Sequence, residues 1–387
     1  MKELKSNIEK HLHNLCLHPS RHIGSPGALA AAGYIAETLR SYGYADTVQE
    51  HFPATGWRFG SMVFADLDNS FKEVPEALPC FFSQKVDITG IPLWLTEEEL
   101  KTLTPEKVKN RLCIVELIRG ALDVRGRNGI AEDLDSYGAA AAVFIGTTRA
   151  PNSKLQRSPL LKKLGTAVTG DKGALYLAQN PRHRYRLIID AEPFPHQAQN
   201  IVARRSGTGS RRAVFGAHYD AAPLSQGACD NASGVAVTLE MARLLKNELP
   251  QWNFEFAAFD AEEYCITNNL PAGSEAFVSM HKTKDWSFFM DFDCVGAHLS
   301  EEVLYVGRPE KLPPFTSFYP QLPIRNGGDE RNFDLLEIPT LWFASNPRFQ
   351  EFHTPLDTIG TLDTDRICRC VSDAFNVIRQ LCAAVSE

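Results

Sequence analysis

Apolar residues recur at helical spacing near both ends of this chain and in short unbroken runs between them. Ile8, Leu12 and Leu15 mark a first helix. Ser25-Pro26-Gly27 opens a second, carrying Leu29, Ile35 and Leu39 and stopping at Gly43. Val235, Leu239, Ala242 and Leu245 predict a helix over 234–249, with Ser233 or Asn231 as its cap and Pro250 beyond its end. Ile367, Val371, Phe375, Ile378 and Leu381 form the stripe of a closing amphipathic helix. The short runs are Val214-Phe215, residues 254–259, Phe288-Phe289-Met290 and Thr340-Leu341-Trp342-Phe343. Rich in aromatic residues, they predict buried strands. Strand, helix and strand in succession imply a mixed, largely parallel sheet flanked by helices, an α/β fold. Sites in such sheets gather at the carboxyl ends of the strands.

The texture changes over residues 53–193. Proline is frequent there, and strand candidates at 112–118 and 140–145 alternate with loops. We expect a discontinuous catalytic domain, residues 1–52 and 194–387, split by an inserted smaller β-rich domain at 53–193. That insert carries no ligand motif and reads as a lid or spacer without chemistry of its own. No internal repeat or low-complexity tract occurs.

At 387 residues the chain is long for one compact domain, which supports this division. Its net charge of −7 argues against nucleic acid or an anionic membrane as partner. The basic stretches at 182–186 and 211–212 read as solvated strand ends. No run approaches the roughly 18 apolar residues of a membrane span. The first residues lack an apolar signal-peptide core, and nine cysteines without framework spacing suit reduced thiols. A cytoplasmic location is therefore expected. Cys229, Cys265 and Cys294 lie near the acidic positions described next, with small buried thiols the default.

Seven acidic or imidazole residues sit just past the apolar runs: His218, Asp220, Asp230, Glu262, Glu263, Asp293 and His353. A mixed imidazole and carboxylate set suits a divalent metal of zinc type. His218, Asp230, Glu263, Asp293 and His353 make five ligands, one more than a closed tetrahedral site needs. Two metals sharing one carboxylate would use all five and keep positions open for water and substrate. Asp220, two residues beyond His218, can accept the second N–H of that imidazole. From an extended backbone, adjacent Glu262 and Glu263 would point apart, one ligating and the other acting as general base.

The motifs His218-Tyr219-Asp220, Asp230-Asn231-Ala232-Ser233-Gly234, Asp260-Ala261-Glu262-Glu263, Gly273-Ser274-Glu275, Phe292-Asp293-Cys294-Val295-Gly296 and His353-Thr354-Pro355 occur in that order. With Arg21-His22-Ile23-Gly24-Ser25-Pro26-Gly27 near the start, the set resembles the co-catalytic zinc aminopeptidases related to bacterial leucyl aminopeptidases, glutamate carboxypeptidases and glutaminyl cyclases. The resemblance implies the zinc exopeptidase fold and two Zn2+ ions, with other divalent metals able to substitute. It implies His218 and Asp293 on one metal, Glu263 and His353 on the other, and Asp230 between them. It also implies Glu262 as general base, Asp220 as the carboxylate behind His218, a cis Asp230–Asn231 peptide, and a peptide or aminoacyl substrate. The insert resembles a protease-associated domain.

Singly, these motifs have commoner explanations: His-x-Asp as a surface pair, Glu-Glu as a solvated turn, Asp-Asn-x-Ser-Gly as a helix-capping loop. Asp357 suits a helix cap as well as support of the site, and His281 and His298 read as structural. Three departures from the family pattern stand out: Cys229 where Asp is frequent, a long turn at 264–272, and Gly328-Asp329-Glu330 in place of Ser-Asp-His. Carboxypeptidase or glutaminyl cyclase chemistry on the same scaffold is an alternative. A non-catalytic binding protein is another, although no ligand or base is lost.

Overall fold

The structure is a computed structural model that describes residues 2–116, 124–145, 150–154, 157–264, 271–281, 283–325, 327–347 and 352–384. Its centre is a ten-stranded mixed sheet. The predicted buried runs form its middle as strands Arg212–His218, Asn253–Phe259, Trp286–Phe292 and Thr340–Pro347. Arg212–His218 pairs in parallel with both Asn253–Phe259 and Trp286–Phe292, and the last of these pairs in parallel with Thr340–Pro347. Parallel strands covered on both faces need apolar side chains on both, which is why these runs do not alternate. Antiparallel strands complete the sheet: Ser300–Gly307 beyond Thr340–Pro347, and Tyr185–Arg205 beyond Asn253–Phe259.

Helices Lys2–Leu15, Pro26–Ser41, Ser233–Leu245 and Thr364–Ala383 pack together over one face. Ile367, Val371, Ile378 and Leu381 are buried along the last, as its periodicity predicts, whereas Phe375 of the same stripe is only partly buried. Each such buried side chain contributes about 1.5–3 kcal/mol relative to an exposed one. In Pro26–Ser41 the buried face is Ala28, Ala31, Ala32, Ile35, Ala36 and Leu39, whereas Leu29 is exposed. Small residues let that helix lie close to its neighbours, so the core stripe runs one position away from Leu29. Ser25 caps it, its Oγ accepting from Ala28 N at 3.1 Å. The 234–249 helix ends earlier than its spacing suggests, at Leu245. Gly234 at its start is obligatory, since a Cβ there would lie 1.9 Å from the backbone oxygen of Phe292.

A second sheet of five strands lies between residues 77 and 169. Leu93–Leu95, Leu112–Glu116, Ala141–Ile145 and Gly165–Thr169 run parallel, and Ala77–Pro79 pairs antiparallel to the last. Its middle strands are wholly buried, and helices such as Asp171–Gln179 accompany them. This segment is thus a small α/β layer rather than a purely β unit. The boundaries expected at 53 and 194 fall inside two paired strands, Val48–Asp66 and Tyr185–Arg205. These leave the main sheet together and carry the chain to the second one.

Candidate metal centre

Every sequence-predicted site residue lies at the carboxyl end of the parallel strands. His218 ends its strand and Asp293 follows Trp286–Phe292 directly. Glu262 and Glu263 come three and four residues after Asn253–Phe259, and His353 follows Thr340–Pro347 across a loop. Asp230 sits in the Ala228–Ala232 turn that leads into helix Ser233–Leu245. The Asp230–Asn231 peptide is cis, as the resemblance implies. Asn231 caps the helix, its Oδ1 accepting from Gly234 N at 2.8 Å, while its Nδ2 donates to Phe292 O at 2.8 Å. That second bond ties the Asp230 turn to the strand that presents Asp293.

The Arg21 segment does the same from the other side. Arg21 is fully buried, and its guanidinium donates to the backbone oxygens of Tyr219, Leu15, Gln226 and Gly227. One side chain thereby holds the first helix, the loop after His218 and the approach to Asp230 in register. Ala261, Cys294 and His353, all at or within two residues of candidate ligand positions, have positive φ. Non-glycine residues in that region concentrate at functional sites.

Two groups of potential ligand atoms result, each within 4.8 Å: His218, Asp230 and Asp293, and Asp230, Glu263 and His353. Asp230 belongs to both. Its Oδ1 lies 3.1 Å from His218 Nε2, and its Oδ2 lies 2.9 Å from His353 Nε2. Asp293 Oδ1 is 3.5 Å from His218 Nε2, and Glu263 Oε2 is 3.4 Å from His353 Nε2.

The surrounding carboxylates position these groups. Asp220 Oδ1 is 3.3 Å from His218 Nδ1, and its two oxygens accept from Glu262 N and Glu263 N at 3.0 and 3.1 Å. Asp357 accepts from Cys229 N and Asp230 N at 2.7 and 3.1 Å. It therefore orders the Asp230 turn rather than capping the C-terminal helix, whose start Asp363 caps. His281 is bound to Glu50 and Arg204, away from these ligand groups.

Burial works against protonation of His218, but Asp220, Asp230 and Asp293 outweigh it and push its pKa well above the ordinary range. Burial opposes ionisation of Asp230, yet His218 and His353 hold its pKa well below that of a free carboxyl. Burial raises Asp293. Burial and the Lys154 ammonium lower His353. Buried His218 Nε2, Glu263 Oε1 and Asp293 Oδ1 have no hydrogen-bond partner. Orphaned polar atoms of this kind are costly unless something binds them. The donor set is nitrogen and oxygen with no thiolate among its members, which fits zinc.

Two features depart from sequence expectation. Glu262 and Glu263 do not point apart, since both carboxylates approach Lys154 Nζ, Glu262 Oε2 at 3.6 Å and Glu263 Oε2 in direct contact. The backbone bends at Ala261 instead of staying extended, so the alternation of a strand does not apply. Nor is the 53–193 segment without a role at the site. Lys154 comes from it, and Nζ also lies 3.3 Å from His353 Nε2. Arg157 donates to Glu263 O at 3.2 Å, and Ser153 Oγ donates to Pro223 O. A lone lysine in a loop carries no periodic signal that could have marked it. Asp291 was also missed, although it lies two residues before Asp293, within the strand that leads to it. It is buried with Asp329 and Glu330, burial raising all three. Cys229 is a buried thiol and Cys294 a partly buried one, while Cys265 lies outside the described residues.

Residues 200–378 match the model of Peptidase family M28. The chain is 25% identical over 326 residues to the probable lipoprotein aminopeptidase LpqL of Mycobacterium tuberculosis, covering 81% of this chain and 62% of that protein. It is 25% identical over 338 residues to an aminopeptidase of Pseudomonas aeruginosa, covering 78% and 60%. The chain thus spans about three fifths of the length of these curated relatives. Among solved structures it is similar to BSAP, a zinc aminopeptidase from Bacillus subtilis, with a TM-score of 0.77 and 19% identity over 97% of this chain and 95% of that one. The α/β fold and the resemblance to zinc aminopeptidases read from the motifs are borne out. No helix among the described residues is long and apolar enough to cross a membrane.

Proposed function

We propose that this chain is a zinc-dependent exopeptidase, an aminopeptidase that hydrolyses the bond after a free N-terminal residue. The observation that carries it is the pair of ligand groups joined at Asp230, with buried orphaned donors in both groups and the Glu262 carboxylate beside them. Two Zn2+ ions would be held by His218 and Asp293 on one side and Glu263 and His353 on the other, with Asp230 shared. Bound zinc supplies Lewis acidity, which activates water near neutral pH and polarises a carbonyl. Glu262 takes the proton of the attacking water and passes it to the leaving amine. Burial disfavours its ionisation, but Lys154 and His218 hold its pKa below the usual carboxylate range, so it stands as the charged carboxylate. Asp220 fixes the His218 ring, and through Glu262 N and Glu263 N it also fixes the segment bearing base and ligand. The M28 match and the aminopeptidase relatives support this reading.

We further infer that residues 53–193 form a unit that reaches over the site through Lys154, and that the protein works in the cytoplasm on peptides. Metal analysis paired with a substrate panel tests the assignment. Two zinc ions per chain, cleavage of free-amine substrates, and loss of cleavage on blocking that amine are expected. A preference for N-blocked substrates with a free C-terminus would move the assignment to carboxypeptidase. One metal with cyclisation of N-terminal glutamine would move it to glutaminyl cyclase chemistry.

A further inference from the structure

The ligand groups open into a cavity of about 480 Å³ that is also lined by Tyr305, Arg325, Trp342 and Asn346. This lining is built for hydrogen-bond donation. The Arg325 guanidinium lies over the Tyr305 ring, 4.7 Å from its centroid. The ring is held in turn by its hydroxyl, which donates to Asn346 Oδ1 at 3.0 Å, and by the Trp342 ring at 4.9 Å. Among the described residues Arg325 makes no ion pair, whereas neighbouring Arg308 is paired with Asp334. The indole N–H of Trp342 is buried without a hydrogen-bond partner. A guanidinium stacked on an aromatic ring loses little further freedom on binding and presents a flat fork of donors. The group matching such a fork is a carboxylate.

Charge points the same way. If the site holds two divalent cations, they offset Asp230, Glu262, Glu263 and Asp293. Arg325 is then the unpaired charge lining the cavity, with Lys154 a second cation released in part from Glu262 and Glu263. An acidic ligand would find both.

We propose that Tyr305, Arg325 and Trp342 form a carboxylate subsite beside the reacting bond, which makes substrates bearing a carboxylate near that bond the preferred class. This deepens the exopeptidase reading and rests on it for the turnover arms of its test. The carboxylate has two possible sources, the side chain of an N-terminal Asp or Glu and the free C-terminus of a dipeptide.

The experiment uses the full, zinc-loaded chain. Glutamyl and glutaminyl p-nitroanilides differ only in the side-chain charge, and Ala-Ala and Ala-Ala-amide differ only at the C-terminus. The expected kcat/KM ratio is roughly 10–100 in favour of the carboxylate in one of these pairs, the size of one charge-assisted interaction. Arg325→Gln should bring that ratio to within about threefold of one, and Arg325→Lys should restore part of it. A preference in the first pair assigns the side chain; a preference confined to the second assigns the C-terminus. Ratios near one in both pairs, or a ratio unchanged in Arg325→Gln, would overturn the subsite while leaving the exopeptidase standing. Calorimetric binding of glutamate against glutamine, and of Ala-Ala against its amide, decides the subsite even if nothing is cleaved. In that case the exopeptidase reading falls separately, and equal affinity within both pairs would end the subsite as well.

Discussion

Replacing Lys154 should tighten zinc binding. Its ammonium touches Glu263 Oε2, one of the candidate ligand atoms, and lies 3.6 Å from Glu262 Oε2. A cation bound by Glu263 and His353 must compete with that ammonium for the same oxygen. A unit-charge pair at this separation is worth about 4–5 kcal/mol at an effective dielectric near 20. Lysine recovers much of this by turning toward water on its long stem, so the net interaction lost is nearer 1.5–3 kcal/mol. Lys154→Met keeps the length and volume of the side chain and removes only the charge. Zinc affinity for the second site should then rise roughly 10–100-fold. Titration of zinc against a chromophoric chelator measures this, with the wild-type and variant chains stripped of metal beforehand. The metal-free variant should also melt at a lower temperature, because Glu262 and Glu263 lose their shared counter-charge, and zinc should restore it. Unchanged or weaker zinc binding in a folded Lys154→Met protein would refute the competition and leave Lys154 a structural strut.

Glu262→Gln should retain its metal while turnover falls roughly 10²–10⁴-fold, and Glu263→Gln should lose metal first; near-normal turnover in the former would remove Glu262 from the mechanism. Burial in front of Trp57 and Phe81 lowers the His22 pKa from 6.5 to about 4, even though its N–H donates to Trp57 O. The unfolded chain therefore binds a proton below pH 6.5 that the fold refuses, so stability present above pH 6.5 is lost toward pH 4, by up to about 3 kcal/mol. Denaturation at several pH values should show this limb flattened in His22→Asn, and an identical limb would mean that other groups set it. Gly234→Ala places a Cβ 1.9 Å from Phe292 O. It should cost roughly 3 kcal/mol, read as a lower denaturation midpoint at unchanged slope, and a shift below about 0.5 kcal/mol would contradict the packing.

The candidate ligand set was legible in the sequence because each member follows an apolar run, and because a parallel sheet brings the carboxyl ends of its strands together. His218 and Asp293 are close in space for that reason, and Glu263 joins them through the bend at Ala261 and the hold of Asp220 on its backbone. The helices were equally legible, since their stripes are local and their caps lie within a few residues. Three matters depended on tertiary structure. The register of helix Pro26–Ser41 followed close packing through alanines rather than hydrophobicity, which left Leu29 outside. Asp357 and Arg21 bond to backbone groups more than 100 residues away, and no local pattern encodes such partners. Lys154 reaches the ligands only because two long paired strands carry the second sheet out and its loop back over the site. Which residues can bind a metal is a matter of side-chain chemistry, written residue by residue. Which charges meet them from elsewhere is settled by the path of the chain, and short-range sequence pattern does not hold that information.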